Sequence, residues 1–370
     1  MKVLHVLGQL DVGGIECWLN DLIEKSNEIF PEIYYTIIVD KEHFGNIEQK
    51  FLDLNVNVQH ITPNSRSKIN YLKDIYNITK KENFDVIHSH VSFTSGIVNA
   101  IAYLNGIKIR ISHIHSDRLA QIKKYSILKK IKTYFLLSLI ELFSTKKIAV
   151  SSNSINTFLN KKNSIIIPCG KNFSRLGYVE DNNNDLTLWA KDHKVLISIG
   201  RLEKVKNHIF LLELMRHLDN NFKLLIIGDG SEKNNLSTFI KNNDLNTRVK
   251  LLGISDNCLN IMTKLGDIFV FPSLHEGLGM SAIEAQACGL PVICSNNVPE
   301  DIKLTDNVFF LPTEDKDKKL WIDKILLLQD KKGNIAENII NGKYSIDNNL
   351  KNIHEIYSDI SYKKLLINTK

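Results

Sequence analysis

Short apolar runs alternate with longer segments that are apolar at helical spacing along almost the whole chain. In the first half the runs predict strands near 2–7, 33–39, 56–61, 85–89, 108–114, 146–150 and 164–167. Helices fill most of the gaps, notably 15–28, 67–82, 94–105 and 120–142. The stretch from Lys171 to Asp185, with Asn182-Asn183-Asn184 inside it, has linker composition. A second alternating set follows, with strands near 194–199, 222–228, 248–252, 267–271 and 291–294. Ser345 to Tyr357 then places Ile346, Leu350, Ile353 and Tyr357 at helical spacing. Strands that alternate with helices predict parallel sheets covered by helices on both faces. Two such sets in 370 residues predict two domains.

Composition narrows the class. The chain is 43% hydrophobic and 24% charged, a globular balance. Its five cysteines (Cys17, Cys169, Cys258, Cys288 and Cys294) are scattered and lack any C-x-x-C, so they read as reduced thiols, not a disulfide frame or a zinc site. The opening Met1 to Leu7 reads as a strand and is too short and interrupted for a signal peptide. No run of about 18 apolar residues exists, so no spanning helix is expected and the cytoplasm is the expected location.

Net charge is +6, and its distribution matters more than its size. From Ile122 to Lys147, lysines 123, 124, 129, 130, 132, 146 and 147 surround an apolar series at helical spacing. Such a basic amphipathic helix either lies on an anionic membrane surface, as a peripheral attachment, or packs on the core with a solvated basic face. No basic–aromatic interleaving or reader motif points to nucleic acid.

The chemistry concentrates between Phe271 and Ile293. Glu276 follows a short strand closed by Pro272 and Ser273, and Gly277 and Gly279 loosen the backbone behind it. Glu284 falls inside a helical run, Met280 to Cys288, that stops at Gly289-Leu290-Pro291. In a parallel sheet these two places line one ligand crevice. Glycines at a helix start, with its partial positive charge, make a phosphate cradle. A carboxylate before the cradle suits sugar hydroxyls, and one further along suits a ribose diol. An ordinary strand–loop–helix connection would explain the spacing equally well. A second cluster tips the balance. The strand Val195 to Ile199 runs into Gly200-Arg201-Leu202-Glu203-Lys204-Val205-Lys206-Asn207. Arg201 and Lys206 sit just before a helix from about His208 to His217, where cations are unfavourable unless an anion binds there.

These segments carry a resemblance. Gly200-Arg201-Leu202 with Lys206-Asn207, Gly228-Asp229-Gly230, Leu252-Gly253 and the run Glu276 to Glu284 resemble the carboxyl-terminal domain of family 4 retaining glycosyltransferases of the GT-B fold. Glu284 to Ile293 with Asn297-Val298-Pro299-Glu300 is similar to the bacterial branch that builds exopolysaccharide, capsule and O-antigen. The amino-terminal Gly8 to Gly14, the pair His88/His90 and the run Arg110 to His115 also fit. The likeness is strongest from 194 to 301.

The resemblance implies an α/β protein with two Rossmann-like parallel-sheet domains facing each other across a cleft. It divides the chain into an acceptor-side domain (1–170), a linker (171–193), a nucleotide-sugar domain (194–344) and a terminal segment (345–370) crossing back to the first domain. It implies a donor site of Gly13, Gly14, Arg201, Lys206, Glu276, Gly277, Leu278, Gly279, Met280, Ser281 and Glu284. The expected catalytic groups are Glu276, His115, Arg201 and Lys206. The expected donor is a nucleotide sugar, with UDP the nucleotide, and the acceptor is a glycan that this branch often carries on a lipid. Neither a metal nor a cofactor is expected.

Two further readings stay open. His88/His90 and His113/His115 are His-x-His pairs at strand ends, where alternate residues share a face and could hold the metal of a hydrolase. The later His and Asp ligands of such an enzyme are not recognisable. A non-catalytic GT-B protein that binds a partner transferase is the other alternative. Asp315-Lys316-Asp317 resembles a metal-binding Asp-x-Asp only superficially, in a lysine-rich loop. One departure from the family stands out: its usual Pro-Asn-Gly reads Pro168-Cys169-Gly170 here.

Overall fold

A computed structural model describes residues 1–41, 43–61, 68–161, 164–174, 176–177 and 184–358. The chain forms two units: Met1–Lys171 with Ile346–Lys370, and Asn172–Ser345.

Unit 1 runs β1 (Lys2–Leu7), α1 (Gly14–Ile29), β2 (Tyr34–Val39), α2 (Glu48–Asp53), β3 (Asn57–His60), α3 (Lys68–Lys81), β4 (Val86–Ser89), α4 (Ser95–Leu104), β5 (Ile109–Ile114), α5 (Leu119–Lys123), α6 (Ile127–Phe143), β6 (Lys146–Ala149) and β7 (Ser164–Ile166). Its sheet is parallel, in the order β3-β2-β1-β4-β5-β6-β7. Strands β1 and β2 are nearly continuous apolar runs, as expected of parallel strands covered on both faces.

Unit 2 runs α7 (Asn184–Ala190), β8 (Lys194–Ile199), α8 (His208–Met215), β9 (Phe222–Ile227), α9 (Lys233–Asn242), β10 (Val249–Gly253), α10 (Cys258–Leu265), β11 (Ile268–Phe271), α11 (Met280–Ala287), β12 (Val292–Ser295), β13 (Val308–Leu311), α12 (Lys318–Leu328) and α13 (Glu337–Ile340). Its sheet has the order β10-β9-β8-β11-β12-β13, again with parallel pairs. Leu196, Leu224, Ile226, Val270, Phe210 and Trp321 belong to its core. Both sheets thus have the doubly wound order, with strand sequence reversing beside the first strand of each unit.

The chain then returns to unit 1 as α14 (Ile346–Tyr357). Ile353, Ile356 and Tyr357 are buried. Trp18 Nε1 donates to Asn349 Oδ1 at 2.7 Å, and Asn349 Nδ2 donates to the Pro168 carbonyl at 2.5 Å. Residues 359–370 of the expected terminal segment lie outside the described residues.

Three expectations change. Within the stretch assigned to a linker, 171–193, residues 184–190 form α7 and group with unit 2, where Trp189 Nε1 donates to the Thr247 carbonyl at 3.0 Å. The helix expected over 120–142 is two helices, interrupted at Ser126, whose backbone is extended. Lys146 and Lys147 are not on its basic face: they are buried in β6, and Lys147 Nζ donates to Glu141 at 2.5 Å and to the Asn160 carbonyl at 2.6 Å. Strand β13 was not anticipated. It is a short edge strand, VFFL, in which only Val308 is buried.

Candidate functional site

In unit 2 the order reverses between β8 and β11, and open parallel sheets bind ligands beyond the carboxyl ends of strands at that place. The loops there are Gly200 to Asn207 and Pro272 to Gly279. Leu274 N–H donates to the Val205 carbonyl at 2.8 Å and ties the two loops together.

Lys206 closes a 3₁₀ turn (Lys204–Lys206), and Asn207, left-handed at φ 55°, turns the chain into α8. Lys206 Nζ donates to Glu276 Oε1 at 2.5 Å and lies 5.2 Å from the centre of the Phe271 ring. Their side chains are 18% and 11% exposed, so the pair is only partly screened by water. A Cβ on Gly200 would fall 3.3 Å from Lys206 Cε, so glycine there lets the lysine stem lie across the end of β8. Arg201 is exposed and its side chain has no partner among the described residues.

Gly279 precedes α11 with φ 99°, a conformation that L side chains rarely adopt. An added Cβ would also sit 3.2 Å from Phe271. No side chain caps α11, so the amides of its first turn keep donors for an anion. Met280, Ser281 and Gly277 are half-buried around that turn. The Leu278 side chain is buried, so only its backbone can face a ligand. Glu284 is half-buried on the second turn of α11.

Four polar atoms beside these loops escaped the sequence reading. Ser198 Oγ, His208 Nδ1, Ser273 Oγ and His275 Nε2 are buried without a hydrogen-bond partner among the described residues. Burial, helped by the Lys206 charge, pushes His208 down to about 4. Serines at strand ends carried no pattern that separated them from ordinary core serines.

In unit 1 the loop after β1 leads through Gly13 into α1. A Cβ on Gly13 would fall 2.4 Å from Glu16 Oε2, so Glu16 folds over the first turn, while a Cβ on Gly14 would meet nothing within 4 Å. The two His-x-His pairs come together, joined by two residues not linked to them from sequence. His115 Nε2 lies 2.9 Å from His90 Nδ1, and His90 Nε2 lies 3.0 Å from His5 Nδ1. His5 Nε2 is 3.3 Å from Tyr357 Oη, which is 2.7 Å from His88 Nδ1. His88 Nε2 is 3.1 Å from His113 Nδ1. At the other end, Cys169 Sγ is 3.7 Å from His115 Nδ1. Burial drives all five imidazoles toward the neutral form, His5 and His115 down to about 3. Burial also pushes the Cys169 thiol up. The triads His5–His88–His90 and His90–His113–His115 each bring three ring nitrogens within 4.8 Å of one another. Neither triad contains a carboxylate.

Residues 180–343 match the family model of glycosyl transferases group 1. The capsular polysaccharide biosynthesis glycosyltransferase CapH of Staphylococcus aureus is 25% identical over 96% of this chain and 98% of its own. An Escherichia coli UDP-Gal:alpha-D-GlcNAc-diphosphoundecaprenol alpha-1,3-galactosyltransferase is 27% identical over 91% of this chain and 92% of its own. The fold is shared with the crystal structure of Anabaena HepE in complex with UDP and glucose, at TM-score 0.80 and 17% identity over 97% of this chain and 100% of that one. It is shared also with WaaG, a glycosyltransferase involved in lipopolysaccharide biosynthesis, at TM-score 0.72 and 12% identity over 96% and 99%. With a glycosyl transferases group 1 domain on the doubly wound second unit, and capsule and O-antigen type glycosyltransferases similar to it along nearly its whole length, the chain is a glycosyltransferase that carries a group 1 domain.

Proposed function

We infer that this glycosyltransferase moves a sugar from a UDP-linked donor to a glycan acceptor in bacterial surface polysaccharide synthesis, with retention at the anomeric carbon. The observation that carries the reading is the Lys206–Glu276 pair, set at the strand-order reversal beside the uncapped start of α11. A diphosphate leaving group needs positive charge where its own charge develops. Lys206, Arg201 and the α11 amides from Gly279 to Ser281 supply it, and transfer then requires no metal. Glu276 accepts from donor-sugar hydroxyls, Glu284 from the ribose diol, and the acceptor proton passes to the leaving phosphate.

The UDP preference is supported by the UDP-bound Anabaena neighbour and by the name of the E. coli relative. That name also gives a diphosphoundecaprenol-linked acceptor, and α6 suits a protein that meets a lipid-linked substrate. Thr133, Leu136, Leu137 and Ile140 pack inward, while Ile127, Leu128, Ile131 and Phe135 are 60–81% exposed beside Lys129 and Lys130. An exposed apolar stripe flanked by lysines fits the surface of an anionic bilayer. Among the described residues no helix is long and apolar enough to cross a membrane.

A thermal-shift screen of nucleotides and nucleotide sugars tests the reading. At 100 times its dissociation constant a ligand adds roughly 2.7 kcal/mol. UDP and a UDP-sugar should shift unfolding and ADP and GDP should not; no shift with any of them overturns the assignment.

A further inference from the structure

We propose that His90, His113 and His115 bind one late first-row divalent metal ion, of the zinc or cobalt class, through three imidazole nitrogens. The site goes beyond the transferase reading, which assigns no metal and places the phosphate ligands in unit 2.

The three rings are brought together by adjacent strands of one sheet: His90 follows β4, His113 lies in β5 and His115 follows it. One ring nitrogen of each lies within 4.8 Å of the others. His113 Nδ1 is engaged with His88, and its Nε2 is buried with no hydrogen-bond partner among the described residues. A buried polar nitrogen without a partner is costly. It is therefore the natural ligand atom of that ring. His90 Nδ1 and His115 Nε2 stand 2.9 Å apart. Two ligands of a tetrahedral ion with bonds of about 2.0–2.1 Å are separated by roughly 3.3 Å, so a small opening of this contact admits the ion.

The outer nitrogens complete the case. Metal-bound histidines almost always hold their second nitrogen with another group. Here His90 Nε2 faces His5 Nδ1 at 3.0 Å, His113 Nδ1 faces His88 Nε2 at 3.1 Å, and His115 Nδ1 faces Cys169 Sγ at 3.7 Å. Each prospective ligand thus has its orientation fixed from behind. Neutral imidazole donors favour zinc, cobalt, nickel or copper over magnesium or calcium. His115 is partly exposed, which gives the ion a way in and leaves a fourth position for water. The companion triad of His5, His88 and His90 is wholly buried, and both nitrogens of each ring already face a partner.

The test is titration of the chelator-treated full chain with Co²⁺ and Zn²⁺. The expected result is one ion per chain by calorimetry, with the visible absorption of four-coordinate cobalt, displaced by zinc. His113→Gln and His115→Gln should each weaken binding at least about tenfold. His43→Gln, at an exposed histidine outside the cluster, should not. Because His113 is fully buried, His115→Gln carries the mutational test if His113→Gln fails to fold. The proposal is overturned if the wild type shows no saturable binding, if cobalt gives only the pale spectrum of a six-coordinate ion, or if His115→Gln binds as the wild type does.

Discussion

Lys206 Nζ and Glu276 Oε1 lie 2.5 Å apart, so the cation assigned to the donor phosphates and the carboxylate assigned to the donor sugar hold each other in place. Each keeps the other from drifting into solvent, and the site stays preformed. The two cations at this end of the sheet are therefore not equivalent: Lys206 is part of a packed pair, and Arg201 is exposed with no side-chain partner among the described residues.

That difference predicts different mutant behaviour. Each charge-assisted contact to a phosphate contributes about 1.5–3 kcal/mol, roughly ten- to 150-fold in affinity. Arg201→Ala should lower UDP affinity by that factor and leave the melting temperature unchanged. Lys206→Ala should lower both, because Glu276 then loses its partner at 11% exposure. Wild-type UDP affinity in both variants, by calorimetry, would sink the clamp.

The glutamates should separate by role. Glu276→Ala should abolish transfer with little change in free UDP affinity, since UDP carries no donor sugar. Glu284→Ala should weaken UDP itself. Equal losses of UDP affinity in the two variants would contradict the division.

Transfer should persist in EDTA, since Lys206, Arg201 and the α11 amides take the place of an ion at the diphosphate. Activity lost on chelation and restored by manganese or magnesium would place a metal in the chemistry.

Low pH should weaken unit 2 through His208. Its pKa falls from the ordinary 6.5 to about 4 because the ring is buried beside Lys206. Between those values the unfolded chain binds a proton that the folded one does not, so stability is fully present above pH 6.5 and declines as pH drops toward 4. The slope from this one group is at most about 1.4 kcal/mol per pH unit. The unfolding transition that UDP shifts should show it, and His208→Gln should flatten it. An unchanged slope in the variant would remove His208 as the cause.

The α6 stripe should bind anionic vesicles at low salt and release them at high salt, as each lysine near the surface contributes about 1 kcal/mol. Changing Lys123, Lys124, Lys129 and Lys130 to Glu should weaken binding, and so should Ile131→Ser with Phe135→Ser, which removes apolar area alone. Sedimentation with vesicles decides it: a wild type that ignores them at low salt ends the membrane reading.

How much of this could be read beforehand depended on sequence distance. The loop from Pro272 to Gly279 was legible because proline and glycine punctuate a strand–helix junction within a few residues. The Lys206–Glu276 bond was not, because its partners are 70 residues apart and nothing local sets their distance. The histidine pairs were visible as pairs, but His5 joins His90 across 85 residues and Tyr357 joins His5 across 352. Only the strand order β1-β4-β5 and the return of α14 bring them together. The α6 pattern left two readings open, since leucine and isoleucine at helical spacing beside lysines suit a core and a membrane surface alike.

The return of α14 also bears on how the protein is made. Strands β1 and β4 and helix α1 leave the ribosome lacking Asn349 as the acceptor for Trp18 and Tyr357 as the neighbour of His5 and His88. Those groups arrive only after all of unit 2, residues 172–345, has been translated. Domains fold as units during synthesis, and contacts between distant residues form slowly. Unit 2 is contiguous and is free to close first, while the nascent unit 1 keeps the histidine cluster on its central strands unfinished. Completion of the first unit to be translated therefore waits for the helix that follows the second.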